Sequence, residues 1–94
     1  MGRPIRIFPK DPDATTDYSV DWSRWLKGDQ IASAPTVTAA SGITNSTTTW
    51  APGGLVTVWL TGGTIGNTYD VGVRITTLGG RTDERTIRIA VGSR

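Results

Sequence analysis

The chain is 94 residues long, with 12 Gly, 4 Trp and a formal net charge of +2, enough for one domain with one modest core. It has neither Cys nor His, which excludes disulfide staples and thiolate chemistry and removes the commonest general base and transition-metal ligand. A secreted domain of this size usually carries staples, so assembly in a cytoplasm is expected; no stretch is apolar and long enough for a membrane span or a signal-peptide core, and no membrane partner is expected.

Residues 1–16 read as an extended arm and 17–94 as a β-sandwich domain. The arm holds Pro4, Pro9 and Pro12, which limit sheet pairing and interior helix. Within Arg3-Pro4-Ile5-Arg6-Ile7-Phe8-Pro9, Ile5 and Ile7 share a parity opposite to Arg6, as in a strand. Two roles stay open: a first edge strand of its own domain, or an arm that adds a strand to a neighbour. Arg3, Arg6 and Lys10 form a basic head with only Phe8 among them. A nucleic-acid binder shows a stripe of one sign interleaved with stacking aromatics, so no nucleic-acid partner is expected.

Tyr18, Val20 and Trp22 alternate, making residues 17–22 a strand. Trp22, Trp25 and Leu26 then fit one turn of helix, which Gly28 ends in a left-handed conformation. This corner packs Trp22 or Trp25 on the core. Residues 30–50 are rich in Thr, Ser and Ala, with strand centres at Thr36-Val37-Thr38 and over 44–50, because β-branched Thr suits a pleated surface. Asn45-Ser46 is a bulge or a wet edge.

The last third carries the clearest pattern. In residues 55–60, 68–77 and 82–91, one parity collects Val56, Val58 and Leu60, then Tyr69, Val71, Val73 and Ile75, then Ile87, Ile89 and Val91. Period-two alternation means strands with one buried and one wet face. Gly66-Asn67 marks a turn with positive φ, and Gly79-Gly80 reads as a two-residue hairpin turn. Six or seven short strands with Gly-rich turns predict an all-β antiparallel sandwich. Arg74, Arg88 and Asp70 fall on an outer face.

Trp59 has the parity opposite to Val58 and Leu60 and so faces outward with Leu55. It is covered by the arm, turned inward by a bulge that flips the register, meets a protein partner, or stacks on a sugar. Other chemistry is thinly supported. Asp11-x-Asp13 opens like a calcium loop but lacks the Gly and the closing Glu, so no metal is expected. Asp17 and Asp21 share a strand face without the cleft that glycoside hydrolysis needs. No Ser has a His to activate it, and the Gly pairs are turns rather than phosphate loops. No catalytic residue or cofactor is expected.

Two strings carry a family resemblance. The first is Lys10-Asp11-Pro12-Asp13-Ala14 followed by Asp17-Tyr18-Ser19-Val20-Asp21-Trp22-Ser23-Arg24-Trp25-Leu26 and Gly28-Asp29-Gln30-Ile31. The second is Val58-Trp59-Leu60-Thr61-Gly62-Gly63-Thr64 and then Arg74-Ile75-Thr76-Thr77-Leu78-Gly79-Gly80-Arg81-Thr82-Asp83-Glu84-Arg85. In this order and spacing the chain resembles the fiber–tail adaptor family of tailed bacteriophages. The resemblance implies an immunoglobulin- or fibronectin-like sandwich in a virion, assembled in the bacterial host cytoplasm. Its implied partners are tail, fiber, head–tail connector or capsid proteins, met in multiple copies of a symmetric assembly. It implies no enzyme activity. The expected protein contacts are Arg3, Ile5, Ile7, Phe8, Trp22, Trp25 and Trp59. Two alternatives stand beside the adaptor: a capsid decoration or cement protein, and a carbohydrate-binding module with Trp50 and Trp59 as its platform.

Overall fold

A computed structural model describes residues 6–92; of the expected contacts, Arg3 and Ile5 lie outside the described residues. The elements run β1 (Arg6–Lys10), β2 (Thr16–Asp21), α1 (Ser23–Leu26), β3 (Thr36–Ala39), β4 (Ile43–Trp50), β5 (Leu55–Gly62), β6 (Thr68–Thr76) and β7 (Thr82–Val91). They form two sheets, one ordered β1-β7-β6-β3 and the other β2-β5-β4. Every pairing is antiparallel except that of β1 with β7. The all-β sandwich is therefore present, with one parallel edge that local alternation does not disclose.

The inner faces are the parities read from the sequence. Val56, Val58 and Leu60 of β5 meet Val71, Val73, Ile75, Ile87 and Ile89 of the facing sheet, all buried. Ile31 is buried as well, bridging to Thr77 beside the end of β6; it lies in a segment whose Thr/Ser content masks it. The predicted bulge occurs in β4, where the register against β5 shifts between Asn45 and Thr47. The shift lets Trp50, opposite Val56, turn inward onto the core.

The β6–β7 connection differs from the two-residue turn expected. The Gly80 N–H donates to the Thr77 carbonyl at 3.0 Å, and the Thr77 N–H to the Arg81 carbonyl at 2.8 Å. Leu78, Gly79 and Gly80 thus form a three-residue loop closed by Gly80 at φ +87°, the left-handed residue that such a hairpin requires. The loop adopts this form because it is docked: the Asp29 Oδ1 accepts the Gly79 N–H at 3.1 Å.

Residues 6–10 take the edge-strand role. Phe8 lies opposite Ile89 and Lys10 opposite Val91, so both point inward. The Phe8 ring sits 5.2 Å from that of Tyr18 in the other sheet, and the Tyr18 hydroxyl donates to the Pro9 carbonyl at 3.0 Å. Lys10 is only 2% exposed; its Nζ donates to the carbonyls of Asp11 at 2.9 Å and Gly62 at 2.8 Å. A buried ammonium must keep hydrogen-bond acceptors around it, so Lys10 ties the end of β1 to the end of β5, across the two sheets. This strand belongs to the sandwich rather than to a free arm.

Deletion of residues 1–9 is accordingly expected to destabilise the domain itself. A half-buried Phe alone is worth about 2 kcal/mol, and each kcal/mol moves the melting temperature of a domain this size by about 4–8 °C. Calorimetry of the Phe8→Ala variant should show a fall of about 10 °C, and the deletion a larger one. An unchanged melting temperature in both would show that β1 adds nothing to the fold.

Candidate functional site

The expected contact residues do not gather on one surface. Trp22 is fully buried and has no surface to offer a partner. Its indole N–H donates to the Asp83 Oδ2 at 2.9 Å. Phe8 is half-buried against Tyr18, as described. Ile7 points outward from β1, next to Arg88, and is exposed. Trp25 is half-buried at the helical corner, and Trp59 projects outward from β5.

The corner is held together by two arginines. The Arg81 guanidinium lies 4.2 Å from the centre of the Trp25 ring. It donates to the carbonyls of Trp25 at 3.3 Å and Leu26 at 2.8 Å, and its Nε pairs with Asp29 at 3.2 Å. Those carbonyls end α1; the Leu26 carbonyl also accepts the Asp29 N–H at 3.0 Å, and a cation there bonds both carbonyls and meets the negative end of the turn. Lys27 (φ 49°) and Gly28 (φ 91°) turn the chain out of the helix in left-handed conformations. Arg85 repeats the arrangement: its guanidinium lies 5.0 Å from the Trp22 ring, its Nε is 3.5 Å from Asp83, and its Nη1 donates to the Asp21 carbonyl at 3.0 Å. Gly54 lets the β4–β5 turn fit beneath: a Cβ there would fall 2.7 Å from the Ser23 nitrogen. Sequence reading missed these roles, although Asp83 and Arg85 share the inward parity of Ile87 and Ile89.

The two outer faces differ in charge economy. On the β7–β6 face, Asp70 lies opposite Arg88 and Arg74 opposite Glu84, with N–O separations of 2.8 and 3.0 Å. The Arg88 hydrogen bond, more than its charge, holds the Asp70 carboxyl below the usual range, and Asp70 in turn raises Arg88. These charges satisfy one another across the strands. On the β2–β5–β4 face, Asp17, Ser19 and Asp21 lie opposite Trp59, Thr57 and Leu55. Trp59 is 37% and Leu55 50% exposed. The Ser19 and Thr57 hydroxyls bond each other at 2.9 Å. Asp21 is engaged by the Ser23 N–H at 2.8 Å, chiefly through which its carboxyl is lowered. Asp17 has no ion-pair partner among the described residues.

This geometry also bears on the other readings. Trp50 points inward and Trp59 outward, so the two do not form a common sugar platform. Asp11 is occupied in a turn, its Oδ1 accepting the Asp13 N–H at 3.0 Å. A glycosidase acid needs a raised carboxyl, whereas that of Asp21 is lowered.

The corner makes a prediction in acid. The Thr77 hydroxyl first, then the N–H groups of Gln30 and Gly79 and the Arg81 guanidinium, hold the Asp29 carboxyl down to about 2. A carboxyl depressed on folding adds stability that is complete above its unfolded value and is lost as pH falls toward the folded one. Melting curves from neutral pH down to about 2 should therefore show a smaller loss for Asp29→Asn than for the native chain. Parallel losses would show that Asp29 contributes nothing to acid sensitivity.

No curated protein matches the chain. A family match does extend over residues 10–90, from the buried Lys10 that closes β1 to the penultimate residue of β7. It takes in the helical corner, the Asp29–Arg81 and Asp83–Arg85 pairs and the Trp59 face. The chain belongs to the podophage GP4 fiber-tail adaptor protein gp77 family.

Proposed function

We propose that this chain is a non-enzymatic virion protein that joins tail and fiber proteins through protein–protein contacts, in multiple copies within a symmetric assembly. The observation that carries the reading is the family match over residues 10–90. The distribution of charge supports it. The Asp29–Arg81 and Asp83–Arg85 pairs of the helical corner and the Asp70–Arg88 and Arg74–Glu84 pairs of the β7–β6 face are made within the chain, which suits a stiff spacer about 42 Å long. The β2–β5–β4 face instead leaves Trp59, Leu55 and Asp17 open to a partner. An exposed Trp on a flat sheet is the kind of anchor that dominates protein interfaces. Repetition by symmetry multiplies modest contacts into durable attachment.

Reconstruction of the native particle should place this chain between tail and fiber densities, with the Trp59 face against a neighbour. Density on the capsid lattice would make it a cement protein, and absence from the particle would end the structural reading. Particles carrying Trp59→Ala should bind fiber about 30-fold more weakly, as loss of a hot-spot residue worth about 2 kcal/mol implies, while the isolated variant melts like the native chain. Unchanged fiber attachment would remove Trp59 from the interface.

A further inference from the structure

The four tryptophans include two that share one motif. Trp25 lies under the Arg81 guanidinium at 4.2 Å, with Asp29 gripping the same guanidinium at 3.2 Å. Trp22 lies 5.0 Å from the Arg85 guanidinium, with Asp83 at 3.5 Å. Each is an indole and a carboxylate converging on one planar cation. Trp59 has a carboxylate too: Asp17 is its direct partner across β2 and β5. Directly opposed residues place their Cβ atoms about 5 Å apart on the same face, close enough for one guanidinium to meet both. This third Trp–Asp pair has no arginine among the described residues of the chain.

We propose that Trp59 and Asp17 form a receptor for an arginine side chain of a partner protein. The inference rests on the adaptor reading for the partner's nature and deepens it by naming what that partner presents. Arginine fits better than lysine because its flat guanidinium stacks on an indole while its N–H fork meets a carboxylate, whereas an ammonium is a compact, strongly hydrated point charge. Charge complementarity points the same way: Asp17 lies on this face with no ion-pair partner among the described residues.

The occupant is assigned to a different protein on the adaptor reading. Arg74, Arg81, Arg85 and Arg88 are each paired with a carboxylate of the same chain, which leaves the exposed Arg24 as the arginine, among the described side chains, by which a second copy could reach the site.

The test uses the full chain, labelled with nitrogen-15, titrated with N-acetyl-arginine amide and separately with N-acetyl-lysine amide. The arginine compound should shift the Trp59 indole N–H and the amides of Asp17 and Thr57, and bind several-fold tighter than the lysine compound. Trp59→Ala and Asp17→Asn, both on the outer face, should each weaken it about fivefold, the size of a desolvated cation–π or charge-assisted contact. Equal response to lysine, shifts centred on Trp25, or no shift at either residue would overturn the proposal. Self-association of the native chain in sedimentation, abolished by Arg24→Ala, would also overturn it by assigning the site to a second copy. These outcomes are separate from particle reconstruction: a chain found at the tail that binds arginine elsewhere keeps the adaptor role and loses this site. A chain that binds arginine at Trp59 but is absent from particles does the reverse.

Discussion

The fold depends on one buried hydrogen bond. Trp22 is the largest side chain in the core and is fully enclosed, so its N–H must find an acceptor inside the protein or cost the domain a desolvated donor. Asp83 supplies that acceptor from the opposite sheet. A carboxylate so placed needs a cation, and Arg85, two residues along the same face of β7, supplies it while also bonding the Asp21 carbonyl. One indole thus fixes β2 against β7 and sets where α1 begins. At the far end of the same pair of layers, Lys10 and Tyr18 make the corresponding ties, to the Gly62 and Pro9 carbonyls. The hydrophobic faces alone would hold the sheets together without fixing their relative position; these polar ties do.

Strand identity was legible wherever alternation ran uninterrupted. The parity of Val56, Val58 and Leu60 placed β5, and that of Ile87, Ile89 and Val91 placed β7, because a half-buried strand writes its burial into every second residue. The same rule, carried back along β7, reaches Arg85 and Asp83 and along β1 reaches Lys10; charged residues at inward positions were the available signal for the polar ties. The length of the Leu78-Gly79-Gly80 loop was not legible. It is decided by Asp29, fifty residues away in the chain, and no local propensity reports such a contact. The parallel edge formed by β1 was hidden for the same reason, since a strand's own residues do not state the direction of its neighbour.

The candidate site was half legible. Outward projection of Trp59 followed from parity. Its partnership with Asp17 did not, because cross-strand neighbours are set by register, and register comes from the turns and from the β4 bulge rather than from either strand. The corner tryptophans show the opposite case. Trp22 and Trp25 looked like contacts because large aromatics at a bend are conspicuous, but both are engaged by arginines that the corner itself needs. An aromatic residue is free for a partner only when the fold has not already used it, and that is a property of the packed molecule.

The edges of the sheets explain why an adaptor of this build would meet its partners through side chains. An unpaired edge invites strand addition unless it is blunted. Here β1 carries Pro9, which lacks a donor; β3 is four residues long; β2 presents Asp17 and Asp21; and β4 is interrupted by the shift between Asn45 and Thr47. With backbone pairing disfavoured along all four, specificity falls to the faces. Of the two outer faces, one has its charges paired in Asp70–Arg88 and Arg74–Glu84, and the other carries Asp17 without an ion pair among the described residues beside the exposed Trp59 and Leu55.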